Sequence, residues 1–294
     1  MKPPLFWSDI YCRLNSQSKE SIFYQSGHLE HRLDFIFVKS GDVMSSPGKA
    51  TFGGLWATES NVLAQVYVDA LNSIFGKSPL TREISIILPP RYFFPEVFDN
   101  QSTALESIGF ELIYTDFNFH IDVLNWSASQ MSKGNRKKVR QFLEHGGEVV
   151  EATSTEHQVA FDLLKQNRKS RGAVLSMSKE VFLQNLTELP NIYKVYIAKM
   201  NETVTAVAYT VKICSEVNYV LFWGDDLEFR HFSPVASILC FLMEIAKKHG
   251  YQYLDLGISS ITGSLDVNLA RFKSNLGAVA TLKPVYRKFP ESSS

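Results

Sequence analysis

Cysteine is scarce in this 294-residue chain, and its pattern excludes a disulfide scaffold. The 3 cysteines, Cys12, Cys214 and Cys240, are odd in number and far apart, and they form no CxxC motif. Such usage is typical of a reducing compartment. The 7 histidines never fall at zinc-ligand spacing and no HExxH motif occurs, so the sequence predicts no metal site.

Long apolar runs and a secretory leader pattern are also missing. The longest apolar stretch, 234–246, is interrupted by Ser237 and Glu244 and is too short to cross a bilayer. The first residues lack the apolar segment of a secretory signal. We therefore expect a soluble, cytoplasmic protein without a membrane span.

The formal net charge of the whole chain is zero, but each of its halves carries a net charge. The 30 basic residues balance the 30 acidic ones, yet residues 1–125 hold 9 basic and 14 acidic residues, and residues 126–294 hold 21 and 16. Two explanations fit this asymmetry equally well. The chain consists of two modules, one of which faces an anionic ligand, or the surface charge is uneven without any functional role. The length and the asymmetry together predict two domains, residues 1–125 and residues 126–294.

Apolar periodicity predicts strands and amphipathic helices in alternation, which is an α/β arrangement. In the first half, strands are predicted over 34–38, 84–88 and 110–123, a loop over 41–54, and helices over 60–75 and 101–108. In the second half, helices are predicted over 132–144, 155–170, 178–188, 233–249 and 265–275. The remaining strands are predicted over 148–151, 192–199, 203–214, 217–223, 251–256 and 278–287, the middle ones as an antiparallel meander.

Two short patterns recur in both halves. A helix that ends in glycine precedes an aromatic residue and a strand, at Gly109-Phe110 and again at Gly250-Tyr251. A Ser-Pro pair precedes an earlier helix, at Ser46-Pro47 and at Ser233-Pro234. This weak internal repeat indicates duplicated α/β domains.

The densest basic segment is 133–140, which has five positive charges and no acidic residue. On a helix, Arg136 and Arg140 lie one turn apart, with Lys137 beside them. This face could bind phosphate groups of a nucleotide or of tRNA, although a plainly solvated face fits the same residues.

Three further segments carry residues of chemical interest. Ser233 is a suitable N-cap and Pro234 a suitable first helical residue. Two interpretations stay open: this helix start binds a phosphate together with Arg230, or it is an ordinary capped helix. Asp255 ends a strand, where a carboxylate either faces a ligand or caps the next loop. Lys273 ends a helix, where the dipole favours a cation and where a lysine could equally stabilise an oxyanion.

Other catalytic patterns are missing. The chain has no GxSxG elbow, no Walker loop and no GxGxxG fingerprint. Phe52-Gly53-Gly54 is short, and a tight turn describes it better than a phosphate loop does.

Taken in order along residues 34–288, these segments resemble the FemAB-like branch of the GNAT acyltransferase superfamily. The matching pieces are the Ser-Pro…Phe-Gly-Gly loop, the basic helix with Asn135–Arg140, the strand meander, Ser233-Pro234, Gly250–Gly257 and Phe272–Gly277. The resemblance implies two tandem GNAT-like α/β domains, each a mixed, mostly antiparallel sheet flanked by helices. Residues 1–125 would be an acceptor-side or vestigial domain, and residues 126–294 the acyl-donor side.

The resemblance also implies transfer of an acyl or aminoacyl group from a thioester or ester donor to an amine. Acyl-CoA or aminoacyl-tRNA would be the co-substrate, no cofactor would be tightly bound, and the acceptor would be a small or nucleotide-linked amine. The family's Phe-Lys matches Phe272-Lys273, whose lysine is implicated in handling the donor or its developing charge. We hypothesise that Lys273 stabilises the oxyanion and that Asp255 orients or deprotonates the amine.

In the same hypothesis, Arg136, Lys137 and Arg140 bind phosphate groups of the donor or of the acceptor. One loop departs from the family: a GNAT pyrophosphate loop reads Arg/Gln-x-x-Gly-x-Gly/Ala, whereas Arg230 is followed by the glycine-free run Ser233-Pro234-Val235-Ala236. Coenzyme A binding in the usual mode is thereby put in doubt. The alternative is a catalytically degenerate binding module that keeps the fold without turnover.

Overall fold

Fourteen strands and eight α-helices form in the part of the chain that the computed structural model describes, residues 3–26, 29–59, 62–76 and 82–289. They divide into two compact units. Unit 1 takes Met1–Asn118, Ser259–Asp266 and Thr281–Ser294, and unit 2 takes Phe119–Ile258 and Val267–Ala280. The chain therefore returns to unit 1 twice, while the boundary after Asn125 stays a prediction.

Unit 1 begins with a short 3-10 helix, Leu5–Trp7, that buries all three of its side chains. Its helices are α1 (Asp9–Leu14), α2 (Ala64–Gly76) and α3 (Pro95–Ser107). Its first strands are β1 (Ser18–Ser26), β2 (Leu29–Ser40), β3 (Val43–Ser46), β4 (Gly54–Ala57), β5 (Glu83–Ile87) and β6 (Glu111–Asp122), the last of which continues into unit 2.

The sheet of unit 1 is built on β2, which pairs antiparallel with β1, β3 and β4. β3 pairs in parallel with β5 over four residues, and the chain between them forms α2. The final strand of the chain, β14 (Val279–Lys288), pairs antiparallel with β5. Apolar residues of α2 that recur at helical spacing pack on this sheet, as do those of α3.

A buried glutamine closes the space beside β4. Gln101 of α3 is 2% exposed, and its Nε2 donates to the Leu55 carbonyl at 2.8 Å while its Oε1 accepts from the Leu55 N–H at 2.8 Å. Gly54 has φ +87°, and a methyl group placed on it would lie 2.7 Å from Gln101 Oε1. The side-chain amide thus takes the place of a neighbouring strand at this point.

Unit 2 contains the helices α4 (Lys133–Glu144), α5 (His157–Ser170), α6 (Lys179–Glu188), α7 (Pro234–His249) and α8 (Val267–Ser274). Its strands are β7 (Glu148–Glu151), β8 (Tyr193–Met200), β9 (Thr203–Lys212), β10 (Val217–Asp225) and β11 (Tyr253–Ile258). A small hairpin, β12 (Ser260–Ile261) and β13 (Ser264–Leu265), belongs to unit 1.

The sheet of unit 2 runs β11-β10-β9-β8-β7, antiparallel except for the parallel pair β10 and β11. Apolar α7 is the connection within that pair, and it packs against β8, β9 and β10. α5 packs against β9 and β10. The predicted fold class, a mixed and mostly antiparallel sheet flanked by helices in each domain, is confirmed.

The predicted elements and the observed ones differ mainly in the first half. The predicted loop 41–54 contains β3 and the start of β4, because both strands are only four residues long and carry no clear alternation. α3 begins at Pro95 rather than near Gln101, since proline is well suited to the first helical turn. Among the helices that the structure describes, none is long and apolar enough to cross a membrane.

Candidate active site

The parallel pair in unit 2 separates at its carboxyl end. β10 and β11 are paired only from Val217–Tyr253 to Tyr219–Asp255. Beyond that point β10 continues to Asp225 alongside β9 alone, after an irregularity between Val220 and Phe222, and β11 continues to Ile258. We call the space between residues 220–225 and 256–258 the β10–β11 opening. Carboxyl ends of diverging parallel strands are where α/β proteins place ligands.

Helix α8 contacts both strands of this opening through two consecutive residues. Phe272 packs edge-on against Trp223 of β10, with ring centroids 5.8 Å apart. Lys273 Nζ donates to the carbonyl oxygens of Gly257 at 2.9 Å and Ile258 at 2.8 Å, at the end of β11. The predicted Phe-Lys pair is thus placed at the opening.

Lys273 is far more buried than a helix-end lysine needs to be. Its side chain is 2% exposed, and Nζ lies 5.7 Å from the ring centroid of Phe119. Two carbonyl dipoles and an aromatic face stabilise its positive charge. A favourable interaction with the helix dipole does not explain such burial, because the dipole acts equally on an exposed lysine. The catalytic role of Lys273 stays a prediction.

Asp255 also lies at the opening, 1% exposed, in the last residue pair of the parallel strands. Its Oδ1 accepts a hydrogen bond of 2.6 Å from the N–H of Gly257, a residue with φ +74°. This is the loop-capping alternative that the sequence left open. Its role in orienting or deprotonating an amine stays a prediction.

Arg230 is held by a carboxylate of its own unit. Its guanidinium donates to both oxygens of Asp225, Nε to Oδ2 at 3.2 Å and NH2 to Oδ1 at 3.1 Å. These hydrogen bonds raise the pKa of Arg230. Asn167 in turn donates to the carbonyl and to Oδ1 of Asp225. The negative charge of Asp225 therefore offsets the positive charge with which Arg230 would bind a phosphate.

Ser233 is the N-cap residue of α7 and Pro234 is its first helical residue, as predicted, but the Ser233 hydroxyl does not cap the helix. Ser233 adopts a left-handed conformation, φ 52° and ψ 54°, and makes no side-chain cap hydrogen bond, while its carbonyl accepts from Ala236 N at 2.9 Å. An N-cap needs an extended backbone to aim its hydroxyl at the helix. Ser233 stands where the GNAT loop pattern has glycine, the residue that this conformation favours. Binding of substrate or phosphate by Ser233 stays a prediction.

The basic helix α4 packs against α7 and the 3-10 helix Leu227–Phe232. Arg136 donates to the Ser129 carbonyl at 2.6 Å, and Arg140 lies 3.5 Å from Glu144 in an exposed pair. Lys137 is exposed. Two of the three predicted phosphate ligands are thus engaged by the protein itself, and phosphate binding here stays a prediction.

Some residues of the opening were not anticipated from the sequence. Tyr219 and Trp223 lie in an apolar run that indicates core strand, and nothing in the run shows that the pairing with β11 stops between them. Arg168 lies in the last turn of α5, where a cation is expected for the dipole alone. Only the three-dimensional pairing identifies all three as neighbours of the opening.

The glycine loop of unit 1 offers no comparable site. Gly53 N donates to the Ile87 carbonyl at 2.8 Å, and Gly54 N donates to Ser46 Oγ at 2.8 Å. With these donors occupied, residues 52–54 lead into β4, and the predicted tight turn is not present there. Within the described ranges, no group of three or more His, Cys, Asp or Glu side chains is arranged to hold a metal ion.

With the divergent strand pair and its lysine in view, the fold can be compared with known structures. The fold is that of FemX and of a tandem GNAT protein, which confirms the FemAB-like, tandem GNAT resemblance at the level of fold. FemX matches with a TM-score of 0.67 at 14% identity, over 94% of this chain and 89% of FemX.

Two further structures support the same fold. L-PGS from Bacillus licheniformis matches with a TM-score of 0.60 at 14% identity, over 93% of this chain and 85% of that one. A tandem GNAT protein from the clavulanic acid biosynthesis pathway matches at 0.53 and 9% identity, over 95% and 85%. The chain matches no protein-family model and no curated protein sequence.

Proposed function

We propose that the protein transfers an acyl or aminoacyl group from a thioester or ester donor to an amine, at the β10–β11 opening of unit 2. The observation that carries the proposal is the buried Lys273, fixed on the Gly257 and Ile258 carbonyls where the strands part. Burying a lysine is costly unless its charge is used or compensated. Placing this one at the open end of the sheet supports an electrostatic task there.

In the proposed reaction, the lone pair of a neutral amine attacks the carbonyl carbon of the donor. The C–O or C–S bond to the leaving group then breaks, and the proton lost by the amine is finally taken up by the leaving group. The products are an amide and an alcohol or thiol. Lys273 stabilises the negative oxygen of the tetrahedral intermediate, and the low-dielectric surroundings strengthen that interaction.

Asp255 has a narrower task in this proposal. Because its Oδ1 already accepts from Gly257 N, one oxygen holds the backbone turn that presents the Gly257 carbonyl to Lys273. The second oxygen orients the amine or receives its proton. Asp255 therefore couples the shape of the strand end to the chemistry.

The start of α7 is the natural place for the donor's phosphate groups. Ser233 holds the left-handed conformation in place of glycine, and the hydroxyl of Ser237 in the first turn is 3% exposed without a hydrogen-bond partner in the described structure. Pro234 offers no N–H. These features support a donor contact that differs from a glycine-rich pyrophosphate loop. Acyl-CoA and aminoacyl-tRNA are the two donors to test, because they are the two co-substrates that the family resemblance implies.

The second candidate is a binding module without turnover. The observation in its favour is that Asp255 and Arg230 are both committed to protein partners, Gly257 N and Asp225. A proton acceptor that also holds the fold is less free to cycle between charge states. This candidate keeps ligand binding at the opening and removes catalysis.

The test pairs two buried lysines. Lys273 lies 5.7 Å from the Phe119 ring in unit 2, and Lys283 lies 5.9 Å from the Phe52 ring in unit 1, 5% exposed. We expect Lys273→Met to lower kcat/KM for amide formation by roughly 100-fold or more, the scale of one lost oxyanion contact. Lys283→Met, which removes an equally buried charge, should leave transfer unchanged after correction for folded protein.

Mass spectrometry of the acceptor, after incubation with acetyl-CoA or with aminoacyl-tRNA, measures transfer. Isothermal titration with the same donors measures binding. Intact transfer by Lys273→Met, or an equal loss in Lys283→Met, contradicts the proposed role. Saturable donor binding without any product assigns the protein to the binding-module candidate.

A further inference from the structure

Arg168 carries a positive charge that no ion pair among the described residues neutralises. It is half-buried in the last turn of α5, with its guanidinium carbon 5.8 Å above the ring centroid of Phe222. In the described part of the chain its guanidinium makes no side-chain hydrogen bond and no ion pair. Buried arginines are nearly always paired, because removing the charge from water is costly.

The carboxylate of Asp225, in the same region, serves other cations. Asp225 binds Arg230 through both oxygens, and Arg171 lies 3.9 Å from its Oδ1. Asn167 occupies the same carboxylate and its carbonyl. Asp225 is therefore fully used, and Arg168 is left with a neighbouring positive charge, Arg171, instead of a negative one.

The electrostatic surroundings agree with this geometry. Loss of water and the charge of Arg171 both lower the pKa of Arg168, while Tyr219 opposes them. Arginine stays protonated despite such shifts. The result is a fixed cation in a place where a bound anion would relieve its desolvation.

Arg168 faces the strand that borders the opening. Phe222, beneath its guanidinium, belongs to the part of β10 beyond the last pair with β11. Tyr219 belongs to that last pair, and its hydroxyl lies 3.0 Å from the position of a methyl group placed on Gly257. The Gly257 carbonyl accepts from Lys273. Arg168, Tyr219 and Lys273 are thus linked along one edge of the opening.

We propose that Arg168 binds an anionic group of the substrate, a carboxylate or a phosphate, with the Phe222 ring supporting the flat face of its guanidinium. A guanidinium offers parallel N–H donors that match both anions, and stacking holds it in a fixed plane. The inference rests on the proposed function for its location, since it assigns the anion to the substrate that enters the β10–β11 opening. It adds the substrate class: the donor or acceptor carries a negative group beyond the reacting carbonyl.

The test is an anion titration of the full-length protein without any acyl donor. Sodium pyrophosphate and sodium succinate are the two probes, and the readout is the Nε–H resonance of Arg168 in arginine-labelled protein, assigned with Arg168→Lys. We expect the resonance to shift saturably with one of the probes. A shift with pyrophosphate identifies a phosphate, and a shift with succinate identifies a carboxylate. No shift with either probe overturns the proposal.

Variants separate the charge from the geometry. Arg168→Met should weaken the Kd for the active probe about tenfold or more, and Arg168→Lys, which keeps a charge but loses the fork, about threefold or more. Arg82→Met, an exposed arginine of unit 1 beside Asp42, is the control and should not change the Kd. Equal Kd values in all three variants overturn the proposal.

Folding and function are read separately. Because an unpaired half-buried cation disfavours folding, Arg168→Met should have a Tm at or above that of the unmodified protein. Anion binding that depends on Arg168 in a protein without transfer activity contradicts the proposed function and leaves this site standing. Transfer activity with anion binding that ignores Arg168 contradicts this site alone.

Discussion

The parallel strand pair of unit 1 is closed at its carboxyl end, and the pair of unit 2 is open. Each pair is joined through a helix: β4 and α2 lie between β3 and β5, and the 3-10 helix Leu227–Phe232 and α7 lie between β10 and β11. In unit 1 the side-chain amide of Gln101 forms hydrogen bonds with the N–H and the carbonyl of Leu55, on the side of β4 that has no neighbouring strand in the described part of the chain. In unit 2, α8 contributes Phe272 and Lys273 to the two strands.

The difference shows that one architecture can have a filled strand end in one unit and, in the other, a strand end that we propose as a site. A strand edge that leaves the sheet exposes backbone donors and acceptors that need partners. Unit 1 supplies the partner from its own helix, which fixes the core and excludes a ligand. In unit 2 the pairing of β10 with β11 ends at Tyr219 and Asp255, and the charge of Lys273 lies at the end of β11. A duplicated fold therefore need not imply a duplicated site.

The largest effect on stability is expected from Gln101→Ala. It leaves the buried N–H and carbonyl of Leu55 without partners and opens a cavity, which should lower the free energy of unfolding by roughly 3–5 kcal/mol. Urea unfolding measures the change. Gln65→Ala, an exposed glutamine of α2 that bonds Asp69, is the control and should cost under ~0.5 kcal/mol. If the two losses are alike, Gln101 does not close unit 1.

A pair of glycines tests the two strand ends directly. Gly54 has φ +87° and would place a methyl group 2.7 Å from Gln101 Oε1, an atom held by a hydrogen bond. Gly257 has φ +74° and would place one 3.0 Å from the Tyr219 hydroxyl. We expect Gly54→Ala to cost roughly 2–3 kcal/mol and Gly257→Ala about 1 kcal/mol, because strain is common to both and overpacking is worse in the filled unit.

Activity should reverse the order of these two variants. Gly257→Ala disturbs Tyr219 and the carbonyl that holds Lys273, so it should reduce transfer more than Gly54→Ala at equal folded fraction. Chemical denaturation and initial-rate assays on the same samples provide both numbers. Parallel losses of stability and activity in the two variants would contradict the assignment of the site to unit 2 alone.

The smallest effect is expected from Arg230→Gln. Its half-exposed guanidinium pairs with Asp225, and such pairs contribute about 1 kcal/mol or less. Because Asp225 already takes the charge, pyrophosphate affinity should change by less than ~2-fold. Titration calorimetry checks this value. A tenfold weakening would restore Arg230 as the phosphate ligand that the sequence suggested.

The sequence predicts the fold better than it predicts the site. Helical spacing along α7 and the glycine that ends it define the β-α-β connection of unit 2, and the Phe272-Lys273 pair is recognisable as a motif. The short strands β3 and β4 are not predicted, since four residues carry too little periodicity to separate them from a loop.

The site depends on facts that lie between segments distant in sequence. The end of pairing after Tyr219 and Asp255 is a property of two strands and of the helix between them, and no local pattern encodes it. The engagement of Arg230 depends on which of its acidic neighbours turns inward, and Asp225 does so. Arg168 can be recognised as a candidate only from the structure, which shows that the described residues around it provide no counter-charge.

The return of the chain to unit 1 has a consequence for its synthesis. The last strand, β14, pairs with β5, and Tyr286 donates to Glu106 at 2.9 Å across 180 positions of sequence. During translation, unit 1 stays incomplete until β14 has left the ribosome, because the β5 edge lacks its partner until then. A premature stop before β14 would therefore damage the unit that is made first, because β14 completes its sheet.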